Sequence, residues 1–131
     1  MELSIKIKVE RETLENVFIT AIEGGSNYWY SISDEAFKLI KASVPRDGVK
    51  AFSERLFEAV YDKGLVVPIH DVEDEDGEPL GYLNRETFQE RLNKISEENI
   101  SYLLSEMNDD GDAFSSDVVF QYLVLGEVVY G

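Results

Sequence analysis

The chain contains no cysteine and a single histidine, His70. Without thiols there are no disulfides and no thiolate chemistry, and a zinc site would have to be assembled from that histidine and carboxylates. Tryptophan occurs once, at Trp29, and proline three times. No apolar run approaches the roughly 20 residues of a membrane-spanning helix. The opening residues, Met1-Glu2-Leu3-Ser4-Ile5-Lys6, alternate in polarity and lack the apolar core of a secretion signal. These absences lead us to expect a cytoplasmic protein with no membrane attachment. Basic residues are scarce as well: 12 Lys and Arg stand against 27 Asp and Glu, a formal net charge of −15. A direct reader of nucleic acid has the opposite imbalance, so nucleic acid is not an expected ligand. The charge suits plain solubility, or a surface that meets a basic partner.

What is present is enough for one ordinary domain spanning residues 1–131, with 44% apolar residues to build a core. Leu3, Ile5, Ile7 and Val9 alternate with polar residues, the period of a strand with one buried face. From Thr13 the period lengthens, and Leu14, Val17, Phe18, Ala21 and Ile22 mark one stripe of a helix. Gly24-Gly25 should close it by adopting positive φ. The stretch from Ile19 to Trp29 is thus the expected corner of the fold. Because these glycines follow a helix and no Lys-Ser/Thr comes after them, they do not form a phosphate loop.

Further along, Ser33 has the character of an N-cap, followed by Asp34 and Glu35 in a first turn. Pro45 and Asp47-Gly48 mark a turn, and a helix from Val49 should end at Lys63-Gly64. Asp76-Gly77 signals a two-residue hairpin turn between β-rich segments, with Pro68 and Pro79 pointing to an edge or a bulge. Asn84 should cap a helix carrying Phe88, Leu92 and Ile95, and another continues through Ile100, Leu103, Leu104 and Met107. Val118 to Tyr130 is apolar nearly all round, and its length and the Ser115-Ser116-Asp117 start favour a buried helix. The expected fold is α+β: a small antiparallel sheet, made of the N-terminal strand plus the hairpin, packed with several helices.

Three groups of residues are candidates for function. The hairpin tip concentrates Asp71, Glu73, Asp74, Glu75, Asp76 and Glu78, a surface suited to a basic protein. Tyr28, Trp29 and Tyr30 cannot all face one way, so they either close the core or stack on a planar ligand. Between two helices, Glu106, Asn108, Asp110, Asp112 and Asp117 fall at the first, third, fifth, seventh and twelfth places of a calcium loop turning on Gly111. The match is partial, because Glu replaces Asp at the first place and Asp replaces the bidentate Glu at the last. No catalytic constellation stands out: His70, beside Asp71, reads as a hairpin residue, and no serine lies in a nucleophile elbow.

Two blocks, Ala21-Ile22-Glu23-Gly24-Gly25-Ser26-Asn27-Tyr28-Trp29 and Asp117-Val118-Val119-Phe120-Gln121 with Gly126-Glu127-Val128-Val129-Tyr130-Gly131, resemble small phage and prophage proteins of uncharacterised function. The middle, with Gly81-Tyr82-Leu83, is similar in outline. The resemblance implies expression during a phage programme in a bacterial cytoplasm and supplies no chemistry. The expected function is that of an accessory protein acting by protein binding, as an acidic inhibitor of a basic host protein. The alternative is a small-ligand or calcium-binding module, and the sequence leaves the oligomeric state open.

Overall fold

In the computed structural model, which describes residues 1–3, 5–44 and 50–131, the other elements pack around a helix near the C-terminus. This helix, α6, spans Ala113–Leu125 and is buried on every side from Ser115 to Val124. A helix with no wet face has to be wrapped. Helices α1 (Arg11–Thr20), α4 (Phe88–Glu98) and α5 (Ile100–Met107) pack on it, as does strand β3 (Gly81–Leu83). Helix α3 (Phe52–Phe57) lies on α1, and α2 (Asp34–Ser43) on α3. At the centre Phe18 meets Phe57, Phe88 and Phe120 edge-on, at ring separations of 5.0, 6.2 and 5.6 Å. Among the described residues no helix is long and apolar enough to cross a membrane.

The fold is α+β, with a small three-stranded antiparallel sheet in the order β1-β2-β3, where β1 is Tyr30–Ser31 and β2 is Val67–Asp71. Its third strand is not the expected one. The N-terminal residues form no strand among those described, and Leu3, Ile5 and Ile7 are largely exposed. Alternation specifies a face, not a partner, and β2 already has a neighbour on each side. The arm instead runs beside α4 and α5, over a groove of about 720 Å³ lined by Ile5, Ile7, Leu92, Leu103 and Met107. Pro68 is tolerated in the middle strand because β1 pairs only with His70 and Asp71, leaving Pro68 a single neighbour, Tyr82.

Several boundaries differ from the sequence reading. The helix α1 closes through a wider π turn, Ala21–Gly25, in which the Ser26 N–H donates to the Ala21 carbonyl at 2.8 Å. Neither Gly24 nor Gly25 lies in the left-handed region, Gly24 being extended in φ at 177°. Gly25 is required instead by proximity, since an added Cβ would lie 2.7 Å from the Ala113 carbonyl oxygen at the start of α6. The two-residue turn at Asp76-Gly77 does not form. Residues 72–80 make a longer loop of two successive turns, with the Asp74 N–H donating to Asp71 and the Gly77 N–H to Asp74. Helix α6 begins earlier than expected, at an Asp112–Ser115 capping box, and stops at Gly126, whose φ of 81° ends it. Ser33 and Asn84 do act as caps, accepting from the Ala36 and Glu86 N–H groups. The expected turn at Pro45 and Asp47-Gly48 lies outside the described residues.

The seat of β3 on α6 gives a direct test. A Cβ on Gly81 would overlap the Val124 carbonyl oxygen, and such overpacking costs about 1–3 kcal/mol. Gly81→Ala should therefore lower the denaturation midpoint at unchanged m-value; an unaltered midpoint would mean that the hairpin is not seated on this helix.

Candidate functional site

The two blocks that are far apart in sequence meet in space around one carboxylate. Asp117, on the inner face of α6, is 4% exposed and accepts four hydrogen bonds. Ser26 Oγ and Trp29 Nε1 donate to Oδ1 at 2.7 and 2.8 Å. Tyr28 Oη and Gln121 Nε2 donate to Oδ2 at 2.5 and 3.1 Å. A carboxylate offers about four acceptor positions, so its capacity is filled, and burial without these partners would be strongly unfavourable. Helix geometry makes this possible: Gln121 lies one turn beyond Asp117 on the same face, and the π turn aims Ser26, Tyr28 and Trp29 at that face.

Gln121 carries the link onward. Its Oε1 accepts from the N–H groups of Val129 and Tyr130, both at 2.9 Å, while its Nε2 also donates to the Tyr130 carbonyl at 3.1 Å. The returning tail lays the Tyr130 ring on Trp29, with centroids 5.3 Å apart and planes 9° apart. Trp29 is consequently 1% exposed. Of the two readings of Tyr28, Trp29 and Tyr30, closing the core is the one that Trp29 follows, since the chain itself covers its face. Tyr30 is partly buried, with its hydroxyl on the Ile22 carbonyl at 2.9 Å. Tyr28 alone of the three keeps a half-exposed ring, while its hydroxyl turns inward.

The calcium arrangement is corrected too. Glu106 accepts from the hydroxyls of Ser115 and Ser116 at 2.7 and 2.6 Å, and Asp112 accepts the Ser115 N–H at 2.8 Å as the cap of α6. Asp117 points away from this turn toward the corner, and Asn108 and Asp110 are exposed. Among the described residues no three His, Asp or Glu side chains are grouped as a metal site. This turn caps α6 through Asp112, and Glu106 holds the hydroxyls of Ser115 and Ser116 in the helix's first turn. The cap holds the Asp112 carboxyl below its usual range, chiefly through the Ser115 N–H.

The acidic tip is built directly onto this corner. The Val72 N–H donates to the Trp29 carbonyl at 2.9 Å, and Ser31 Oγ donates to Glu75 at 2.9 Å. Within the loop, Asp71 accepts the Glu73 N–H at 2.8 Å, and His70 Nδ1 lies 3.1 Å from the Gly77 carbonyl oxygen. These bonds set the loop's course. Glu73, Asp74, Glu75, Asp76 and Glu78 are exposed, and Asp71 is partly covered. Burial raises the Tyr130 hydroxyl's pKa, and the charges of Asp71 and Glu73 raise it further.

Sequence reasoning found Asp117 for the wrong purpose and missed Ser26 and Gln121 as structural partners. The available signal was the pairing of the two blocks.

Two outcomes follow from the Asp117 centre. Asp117→Ala strands buried donors and should cost about 3–5 kcal/mol, whereas Asp117→Asn, which keeps one acceptor oxygen, should cost less; equal stability of Ala and wild type in chemical denaturation would refute the geometry. Burial first, then the bond to Asp117, pushes the Tyr28 hydroxyl up to about 12. An unfolded tyrosine ionises near pH ~10, so this contribution is complete below that pH and is lost as pH rises through about 12. Tyr28→Phe should lessen the alkaline loss of stability and remove a late step from the absorbance titration; an unchanged alkaline profile would sink the assignment.

Comparison of the chain with protein-family models, with curated proteins and with solved structures gives no match.

Proposed function

We propose that the protein is a phage- or prophage-type accessory protein that acts by binding another protein, with the acidic hairpin tip as its contact surface and a basic protein as its partner. The observation that carries this reading is the tip itself: five exposed carboxylates on a loop whose path is set by turns and by bonds to Ser31, Trp29 and His70. A surface fixed before contact loses little conformational entropy on binding. Clustered charge also steers a complementary partner toward it and speeds encounter. The net charge of −15 favours a basic protein over nucleic acid or an anionic membrane. Blocking the basic groove of a host nucleic-acid-handling or defence protein is the role that fits this chemistry within the bacterial cytoplasm implied by the sequence resemblance.

The test compares capture from a bacterial lysate by the wild-type protein and by a variant carrying Glu73→Lys, Asp74→Lys, Glu75→Lys and Asp76→Lys, after both are shown to melt cooperatively. A basic protein retained by the wild type at low salt, released as the Debye length shrinks from about 10 Å at 0.1 M to about 3 Å at 1 M, and absent from the variant is the expected result. Identical protein sets on both, at either salt, would overturn the proposal.

A further inference from the structure

The arm that precedes α1 is basic in an acidic chain, and the fold leaves it without a strand partner. Residues 2–9 carry Lys6 and Lys8 against Glu2 alone, where the whole chain has 27 acids and 12 bases. Leu3, Ile5, Ile7 and Val9 alternate with these polar residues, the pattern of a strand with one apolar face. Among the described residues, 1–3 and 5–9 make no backbone-to-backbone hydrogen bond. Leu3, Ile5 and Ile7 are 89%, 75% and 46% exposed. Unpaired main chain beside exposed aliphatic side chains is a template for another chain.

Charge identifies that chain as a second copy. The groove under the arm is walled by Leu92, Leu103, Leu104 and Met107 of α4 and α5, and none of the residues lining it is Asp or Glu. Two molecules of net charge −15 repel each other wherever their carboxylates face. The arm and its groove form a surface on which they can meet without that opposition.

The order of residues in the arm also fits self-pairing. Two arms related by a two-fold axis run antiparallel, and their apolar faces coincide only where odd-numbered residues oppose odd-numbered ones. With Ile5 opposite Ile5, Leu3 opposes Ile7, and Glu2 of each copy opposes Lys8 of the other. Opposite charges then meet twice, an arrangement that favours the pairing. Sliding by one step sets Lys6 against Lys6 and Glu2 against Glu10; the reverse slide moves Glu2 onto Lys6 and leaves Lys8 opposite no acid of residues 2–10. Within its own chain Lys8 meets Glu10 at 3.8 Å, with both side chains largely exposed. Such a pair contributes little and gives way readily.

We propose that residues 2–8 are a self-association segment. The arms of two copies pair antiparallel in the Ile5-to-Ile5 register, as a two-stranded ribbon whose apolar face closes over the grooves of both copies. This dimer is independent of the acidic-tip reading and carries two tips.

Sedimentation equilibrium of the full chain over a concentration series tests it, on wild type, Ile5→Asp, Glu2→Lys, Lys8→Glu and the double variant Glu2→Lys, Lys8→Glu. All three positions are exposed, so each variant should melt cooperatively. The expected results are a reversible wild-type dimer, a monomeric Ile5→Asp, and a dimer weakened about tenfold by either single charge change. The double variant, which exchanges the charges and keeps them opposite, should recover toward wild type. A wild type that is monomeric at every concentration, a dimer that Ile5→Asp leaves intact, or a double variant no stronger than the singles would overturn the proposal. A monomeric wild type that loses a captured lysate protein through Ile5→Asp would overturn it likewise, assigning the arm to a different partner.

Discussion

The structure depends on satisfying a carboxylate placed where water cannot reach it. Asp117 needs all four of its donors, and they come from two regions, the π-turn corner and the next turn of its own helix. Because a partly satisfied buried charge is worse than none, the arrangement tolerates little variation in the direction of the chain after Gly25. That direction in turn sets Tyr30 and Ser31 against β2, and with them the base of the hairpin. One ionic group thereby transmits its geometry from the core helix to the surface loop.

Close approach of backbones is the second constraint. Gly25 lets the corner come within contact of the first residue of α6, and Gly81 lets β3 lie on the last turn of the same helix. A helix buried on all sides has neighbours at both ends as well as along its length, and glycine is the residue that permits main chain to meet main chain. At Gly126 the left-handed conformation does different work, turning the tail back over Trp29.

Acidic residues divide into populations with opposite roles. Asp117 and Glu106 are buried and organise hydroxyl, indole and amide donors. The tip residues face solvent and shape the field a partner meets. Tyr130 stacks on Trp29, which Asp117 holds and whose carbonyl accepts the Val72 N–H at the base of the tip. A perturbation of the tail would therefore be felt at both the corner and the tip.

Local periodicity and capping chemistry were legible in the chain. The stripe of Leu14, Val17 and Phe18 and the caps at Ser33 and Asn84 are consequences of side-chain order along one segment, and each is present, while the burial expected from Val118 to Tyr130 holds as far as Val124 and fails at Val128 and Val129, beyond the end of the helix. The α+β class and the acidic tip followed from the same kind of information. Partnership was not legible, because it depends on which segments the core brings together. The alternation of Leu3 to Val9 named no partner strand, and the sheet forms without it; the oxygen spacing of Glu106 to Asp117 was used for capping and for an internal hydrogen-bond centre, and Gln121 gave no hint of the tail it holds. The sequence by itself determined which faces are apolar and, at Ser33 and Asn84, where the chain is capped, since those are short-range properties. Only the tertiary structure decided that Asp117 faces Ser26, Tyr28 and Trp29, because the two segments lie some ninety residues apart and nothing in either one alone encodes the distance between them.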